Sequence, residues 1–296
     1  MKVRIGISLG PAATAEHLGQ SVGMLESAGV DSLWLSEVVY GSLVEPFIGM
    51  AYSLARTSKL KVGTGVAVLP GRHPVLVAKQ LTSLAALAPG RVLPVFGLRP
   101  ARRPEAAAFP VPGPRAEVFD ESMQLLRLLL AEDSVSFSGK YFTVESATAG
   151  PRPAKPLDVW LGGCAPEGLR RAGRLADGWL GSFLTPAEAG AAREQIQAAA
   201  AEAGREIEAD HFGISLALAD GQIPAEVASA VSRRRPGTDP ATLVPLSWPA
   251  MRDVIGKYVE VGLSKFVVRP AAFAPGEDPL KEFIDEFVAQ MTPLQT

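Results

Sequence analysis

The sequence predicts an α/β chain wound as a (β/α)8 TIM barrel, and three observations predict it. Eight short apolar runs alternate with eight longer amphipathic stretches. Strict alternation of strand and helix implies right-handed crossovers and a parallel sheet. Helices end in glycine just before the next strand, as in Ala28-Gly29-Val30-Asp31-Ser32 and Val261-Gly262-Leu263-Ser264-Lys265. Glycine reaches the left-handed conformation that closes a helix. Third, the first strand is not followed by a G-x-G-x-x-G turn, which disfavours an open doubly wound sheet. Such barrels take about 250 residues, so the 296 residues read as a single domain, 1–296.

The strands begin near Val3, Ser32, Leu60, Val92, Asp158, Gly178, Phe212 and Lys265. The last, Lys265-Phe266-Val267-Val268-Arg269, is β-branched and aromatic, the composition a pleated surface favours. Helices are expected over 14–28, 45–57, 74–87, 115–130, 166–175, 186–203, 249–261 and 279–291. Thr185-Pro186, Ser247-Trp248-Pro249 and Asp278-Pro279 place a capping side chain before a proline that needs no N–H in the first turn. The spacing breaks once, before the fifth strand. Residues 134–144 alternate polar and apolar around Ser138-Gly139-Lys140 and read as a hairpin insertion, followed by an extended Pro-rich connector over 151–156. A second Pro-rich stretch, 233–245, reads as irregular.

Twenty-nine basic residues face 31 acidic ones, a net charge of −2. That balance gives no field for nucleic acid and no polybasic membrane signal. One cysteine excludes an internal disulfide, and with three histidines no Cys/His metal set can be assembled. No apolar run reaches the ~18 residues of a membrane span. The expectation is a cytoplasmic protein, with no metal, acting on a small molecule.

In such a barrel the site lies at the C-terminal ends of the strands. The strongest local signal there is Val159-Trp160-Leu161-Gly162-Gly163-Cys164-Ala165-Pro166, a strand running through two glycines into a helix start. Free amides and the dipole at a helix N-terminus favour an anion, so the loop reads either as a phosphate site or as a plain tight turn. Glu37 ends strand two and reads as a general acid or base, or as a rim ion pair. Arg99, Arg102 and Arg103, with Arg115 following, suit an anionic tail or a solvated loop. Arg269 ends strand eight and should face the mouth. Gly6-Ile7-Ser8-Leu9-Gly10 fits the G-x-S-x-G elbow, yet Pro11-Ala12-Ala13 intervenes where the elbow requires an immediate helix. A serine hydrolase is carried as a lesser alternative.

Several segments together resemble the luciferase-like monooxygenase family. They are Asp31-Ser32-Leu33-Trp34-Leu35-Ser36-Glu37, Leu60-Lys61-Val62-Gly63-Thr64-Gly65-Val66, Gly71-Arg72-His73-Pro74, Leu161-Gly162-Gly163, Ala176-Asp177-Gly178-Trp179 and Gly262 through Pro270. The resemblance implies a barrel holding coenzyme F420, or FMN as the alternative, and usually a homodimer. It implies an F420-dependent oxidoreductase exchanging a hydride with a small organic substrate. The runner-up is an FMN-dependent monooxygenase fed by a separate reductase, and a non-catalytic carrier is a further alternative. The resemblance also places a cis non-prolyl bond at Gly65-Val66 under the ring, and the cofactor phosphate on Gly162, Gly163, Cys164 and Ala165. Glu37 would face the ring. His73, just before a proline that can start a helix, reads either as a contact to cofactor or substrate or as a cap, and Arg99 reads as a cofactor-binding residue suited to the anionic tail of F420. Asp177-Gly178-Trp179 would close strand six in support of the barrel. Two departures stand out: Val38 replaces the family's usual His, and Gly97-Leu98-Arg99-Pro100 keeps a single glycine.

Overall fold

The computed structural model describes residues 2–153, 155–274 and 276–296; Ala154 of the expected connector lies outside them. The first half comprises β1 (Arg4–Ile7), α1 (Ala15–Ser27), β2 (Ser32–Leu35), α2 (Pro46–Ala55), β3 (Lys61–Thr64), β4 (Ala67–Val68), α3 (Pro74–Leu87), β5 (Val92–Leu93), β6 (Val95–Gly97) and α4 (Arg115–Ala131). Then come β7 (Val135–Ser138), β8 (Thr143–Ala147), β9 (Trp160–Gly162), α5 (Pro166–Leu175), β10 (Gly178–Ser182) and α6 (Pro186–Glu202). The chain ends with β11 (Phe212–Leu218), α7 (Ala225–Arg234), α8 (Trp248–Glu260), β12 (Lys265–Pro270) and α9 (Pro279–Met291).

Ten strands form one curled parallel sheet. β1 lies between β12 and β2, β2 pairs with β3, and β9, β10, β11 and β12 follow side by side. β3 pairs with β5 while β4 pairs with β6, which pairs with β9. β7 and β8 pair antiparallel, apart from that sheet. Gly65 and Val66 interrupt the third strand-like run, and Pro94, which cannot donate to a ladder, interrupts the fourth.

Residues alternate between two environments along each strand. Leu33 and Leu35 join the large cluster under the helices, while Trp34 between them joins Val95, Leu180 and Val267 in a separate interior cluster. Gly6 and Gly63 make room for that indole: a Cβ on Gly6 would lie 2.5 Å from Trp34 Nε1, and one on Gly63 2.9 Å from its Cζ3. This cluster fills the interior and separates its two ends.

The caps follow the sequence. Thr14 accepts from His17 N, Ser247 from Ala250 N and Asp278 from Lys281 N, and Thr185 with Glu188 forms a capping box. Two elements differ from expectation. α7 forms where no helix is expected, and Arg103–Ala108 is a short 3-10 helix in a stretch read as loop. Asp177 precedes β10 rather than closing it, and there it binds Arg127 and Arg205. Among the described residues no helix is long and apolar enough to cross a membrane.

Candidate active site

Because the strands run parallel, their C-terminal ends share one rim, and a cavity of about 770 Å3 opens there. Its wall at the third strand is the Gly65-Val66 break, where the peptide bond is cis. Ser36 Oγ donates to Gly65 O at 3.0 Å, and Glu37 N donates to Val66 O at 3.3 Å. Val66 then projects between two neighbouring strands. A Cβ on Gly97 would stand 2.7 Å from Val66 Cγ2, and one on Gly162 2.8 Å from Val66 Cγ1. Gly97 and Gly162 are therefore glycines because Val66 occupies their side-chain space.

Glu37 is buried, with 5% of its surface exposed. Its Oε2 accepts from Val68 N at 2.6 Å and from Arg72 Nη1 at 3.1 Å, and Oε1 accepts from Arg72 Nη2. Arg72 is itself placed by Val68 O at 2.7 Å and by the rings of Phe47 and Phe109. Both carboxylate oxygens are thus engaged in a fork with a guanidinium, the strongest arrangement available to that pair. The carboxylate lines the cavity but is locked to the strand beside it.

The loop after β9 has a different character. Gly163 has φ +111°, and nothing lies within 4 Å of where its Cβ would stand. Trp179 Nε1 fastens the loop by donating to Gly163 O at 2.8 Å. Helix α5 begins at Pro166, and Ala165 at its N-cap offers no side-chain acceptor. The helix start is left for an outside acceptor, the arrangement that suits a phosphate. Glu167 in the first turn lies at the cavity edge and is paired with Arg170.

Three strands further round, at the end of β12, Arg269 enters the cavity. Among the described residues no carboxylate pairs with it. Burial lowers its pKa from the ordinary value, and the neighbouring Arg234 adds to that. Arg234, from α7, lies over the Phe183 ring at 4.8 Å. Burial lowers its pKa as well, with Arg233 contributing. Arg99 completes the cationic lining, while Arg171 is occupied by Asp120.

The model of the luciferase-like monooxygenases matches residues 2–247. The chain belongs to that family. Among its relatives within the family is the F420-dependent glucose-6-phosphate dehydrogenase of Kineococcus radiotolerans, 25% identical over 97% of each chain. An F420-dependent secondary alcohol dehydrogenase, solved with an F420-acetone adduct, superposes with a TM-score of 0.80 at 19% identity over the whole of both chains. The FMN-bound oxygenating constituent of 3,6-diketocamphane monooxygenase from Pseudomonas putida superposes at 0.73 with 15% identity, over 100% of this chain and 99% of that one. These two structures are likenesses of fold: the TIM barrel of luciferase-like enzymes.

The cavity gathers Glu37, Gly65, Val66, Arg99, Gly162, Gly163, Cys164 and Ala165 of the expected site residues, and Arg269, expected at the mouth because it ends the eighth strand-like run. His73 is not among them. It caps α3, its Nδ1 accepting from Val75 N at 3.3 Å, and stands edge-on to Phe142. The arginine cluster divides: Arg102 donates to Tyr40 O and Arg115 to Pro70 O and Phe109 O, stapling backbone instead of lining the cavity. Ser8 lines the cavity, but each histidine is engaged elsewhere, His17 with Thr14 and His211 with Asp177 O. The triad that a G-x-S-x-G elbow needs is not assembled. Sequence reasoning missed Arg72 as the partner of Glu37, and Arg234, which rides on the unexpected helix.

Proposed function

We propose that this chain is an F420-dependent oxidoreductase that exchanges a hydride between the deazaflavin and a small organic substrate bearing an anionic group. One observation carries the reading: the cavity pairs an open glycine loop at a helix start with a half-buried guanidinium, three strands away, that no carboxylate among the described residues pairs with. The first suits the phosphate of the cofactor, and the second suits an anion on the substrate. The full-length relative named for glucose-6-phosphate supports both halves. The eightfold barrel supports it too: β3 with β4, and β5 with β6, each count as one interrupted strand, leaving the β7–β8 hairpin as the insertion.

The residues fit the cofactor. The Gly163 backbone is bare toward the cavity, and Val66 offers an apolar surface between Gly97 and Gly162. Bound there, the deazaflavin supplies two-electron hydride transfer. The protein's part is to orient it and shield it from water. Glu37 acts in this reading as a positioning residue: with Arg72 it fixes the chain at Val68, directly after the Val66 surface. With Val38 where the family usually has His, the substrate's proton is left to a group other than an imidazole at that place.

Equilibrium binding of F420 and FMN to the purified protein, side by side, tests the cofactor. F420 should bind selectively; selective FMN binding would favour the monooxygenase fed by a separate reductase. Tight F420 binding without turnover of any anionic alcohol or sugar phosphate would favour the carrier. Arg269→Met should raise KM for an anionic substrate at least tenfold and leave the Kd of F420 unchanged.

We also read the chain as a single cytoplasmic domain that pairs with a second copy. Ile48 and Tyr52 on α2 and Leu76 on α3 are large apolar side chains left exposed on neighbouring helices, with Tyr40 exposed in the loop before α2.

A further inference from the structure

A second cavity, of about 690 Å3, lies at the opposite end of the strands from the active site. The cluster of Trp34, Val95, Leu180 and Val267 stands between the two. Arg4, Lys61 and Lys265 come from the starts of β1, β3 and β12, and Lys2, Arg152 and Lys155 complete a ring of six cations around it. The carboxylates in that lining are Asp158 and Asp210. The whole chain carries a net charge of −2, so this concentration of positive charge is not a matter of composition.

The cations exceed the carboxylates that hold them. Asp31 alone receives Lys61 at 2.9 Å, Lys265 at 2.8 Å and Arg4 at 4.0 Å. Arg152 has Asp133. Six cations stand against Asp31, Asp133, Asp158, Asp210 and Glu208, the last 3.7 Å from His211, and the balance stays positive by one charge. Lys265 is buried, and a buried cation sharing its counterion gains most from a further anion. The remaining walls are apolar and flat: Pro89, Val92, Leu93 and the half-buried ring of Trp160, which packs on His211 at 5.3 Å.

We propose that this lower cavity binds a small anion with a flat ring, of the aromatic phosphate monoester class, independently of the redox site. The surplus of positive charge and the number of cationic donors suit a phosphate monoester, and the Trp160 wall matches a planar body. Trp160 lines this cavity and not the active-site one, so a change in tryptophan emission that Arg269→Met leaves intact reports occupancy here.

Phenyl phosphate, inorganic phosphate and neutral phenol are titrated against the full chain, followed by tryptophan fluorescence and calorimetry at low and high salt. Phenyl phosphate should bind more tightly than phosphate, phenol should not bind, and added salt should weaken the interaction. Lys2→Gln with Lys155→Gln, two exposed positions that make none of the ion pairs to Asp31, should weaken phenyl phosphate at least tenfold with an unchanged melting curve, whereas Arg269→Met should not. Binding lost in Arg269→Met but kept in the double variant would assign the anion to the active site and overturn the proposal. Absence of binding to the wild type at millimolar phenyl phosphate would overturn it equally. Neither result bears on F420 binding, so the proposal and the proposed function fail separately.

Discussion

At the scale of single residues, the arrangement of Glu37 separates two roles for an acid at the rim. A proton-transfer group needs a free oxygen within reach of substrate, but both oxygens of Glu37 are held by Arg72 and by Val68 N. Glu37→Gln should therefore lower stability by about 3 kcal/mol, at the low end for breaking a buried pair because Arg72 keeps some solvent contact. Chemical denaturation measures this; an unchanged midpoint with a hundredfold loss of kcat would instead make Glu37 the proton-transfer group. Gly162 gives a second case. Gly162→Ala should cost about 1–3 kcal/mol through overpacking against Val66, and Val66→Ala in the same chain should recover most of it. A double-mutant cycle with no coupling would mean that Val66 does not set the glycine. The sequence showed that Gly162 mattered but suggested an anion as the reason. The true neighbour lies 96 residues away on another strand (162 − 66), and such a contact leaves no local pattern.

At the scale of elements, the strand starts and most helices were legible because capping residues, N-terminal prolines and glycine stops are local chemistry. Helix α7 was not. Val227 and Val231 are its buried apolar residues, one turn apart among Ala, Ser and Arg, too thin a stripe to stand out. Missing α7 hid Arg234, one of the three arginines of the cationic lining that no carboxylate occupies. Arg235, next on the chain, ties α7 to α6 through Glu188, and this ion pair together with Thr185 holds the Glu188 carboxyl at about 2. At the lower end of the strands, Asp31 joins the starts of β3 and β12 to the entry of β2. Burial alone would raise its pKa, but Lys265 and Lys61 outweigh that and hold it at about 2, below the ordinary 3.8. A lowered folded-state pKa contributes stability that is present above the unfolded value and lost as pH falls toward the folded one. The contribution is about 2 kcal/mol. Urea midpoints taken through pH 4 to 2 should fall for the wild type and fall less for Asp31→Asn. Parallel slopes for the two proteins would mean that other carboxylates carry the acid transition.

At the scale of the whole molecule, the chain must account for apolar surface that its own fold leaves uncovered. Ile48 is 67% exposed and Leu76 65%, on two helices that pack side by side, α2 against β2 and β3 and α3 against β5, with Tyr52 a turn beyond Ile48. Isolated exposed apolar residues are ordinary on a monomer, but a group on adjoining helices marks a contact surface. The loop carrying Tyr40 comes from the same stretch as Glu37, so covering this face would also steady the rim beside the active site. A stable pairing buries about 800 Å2 on each partner, an area that two helices and a loop can supply. Sedimentation equilibrium should give twice the chain mass at micromolar concentration, and Ile48→Glu with Leu76→Glu should give the single chain mass with an unchanged circular dichroism spectrum. The separated chain should still bind F420, since the cavity is built within one chain, but with a lower melting temperature. A wild type that sediments as a single chain at these concentrations would leave the α2–α3 face without a second copy to cover it.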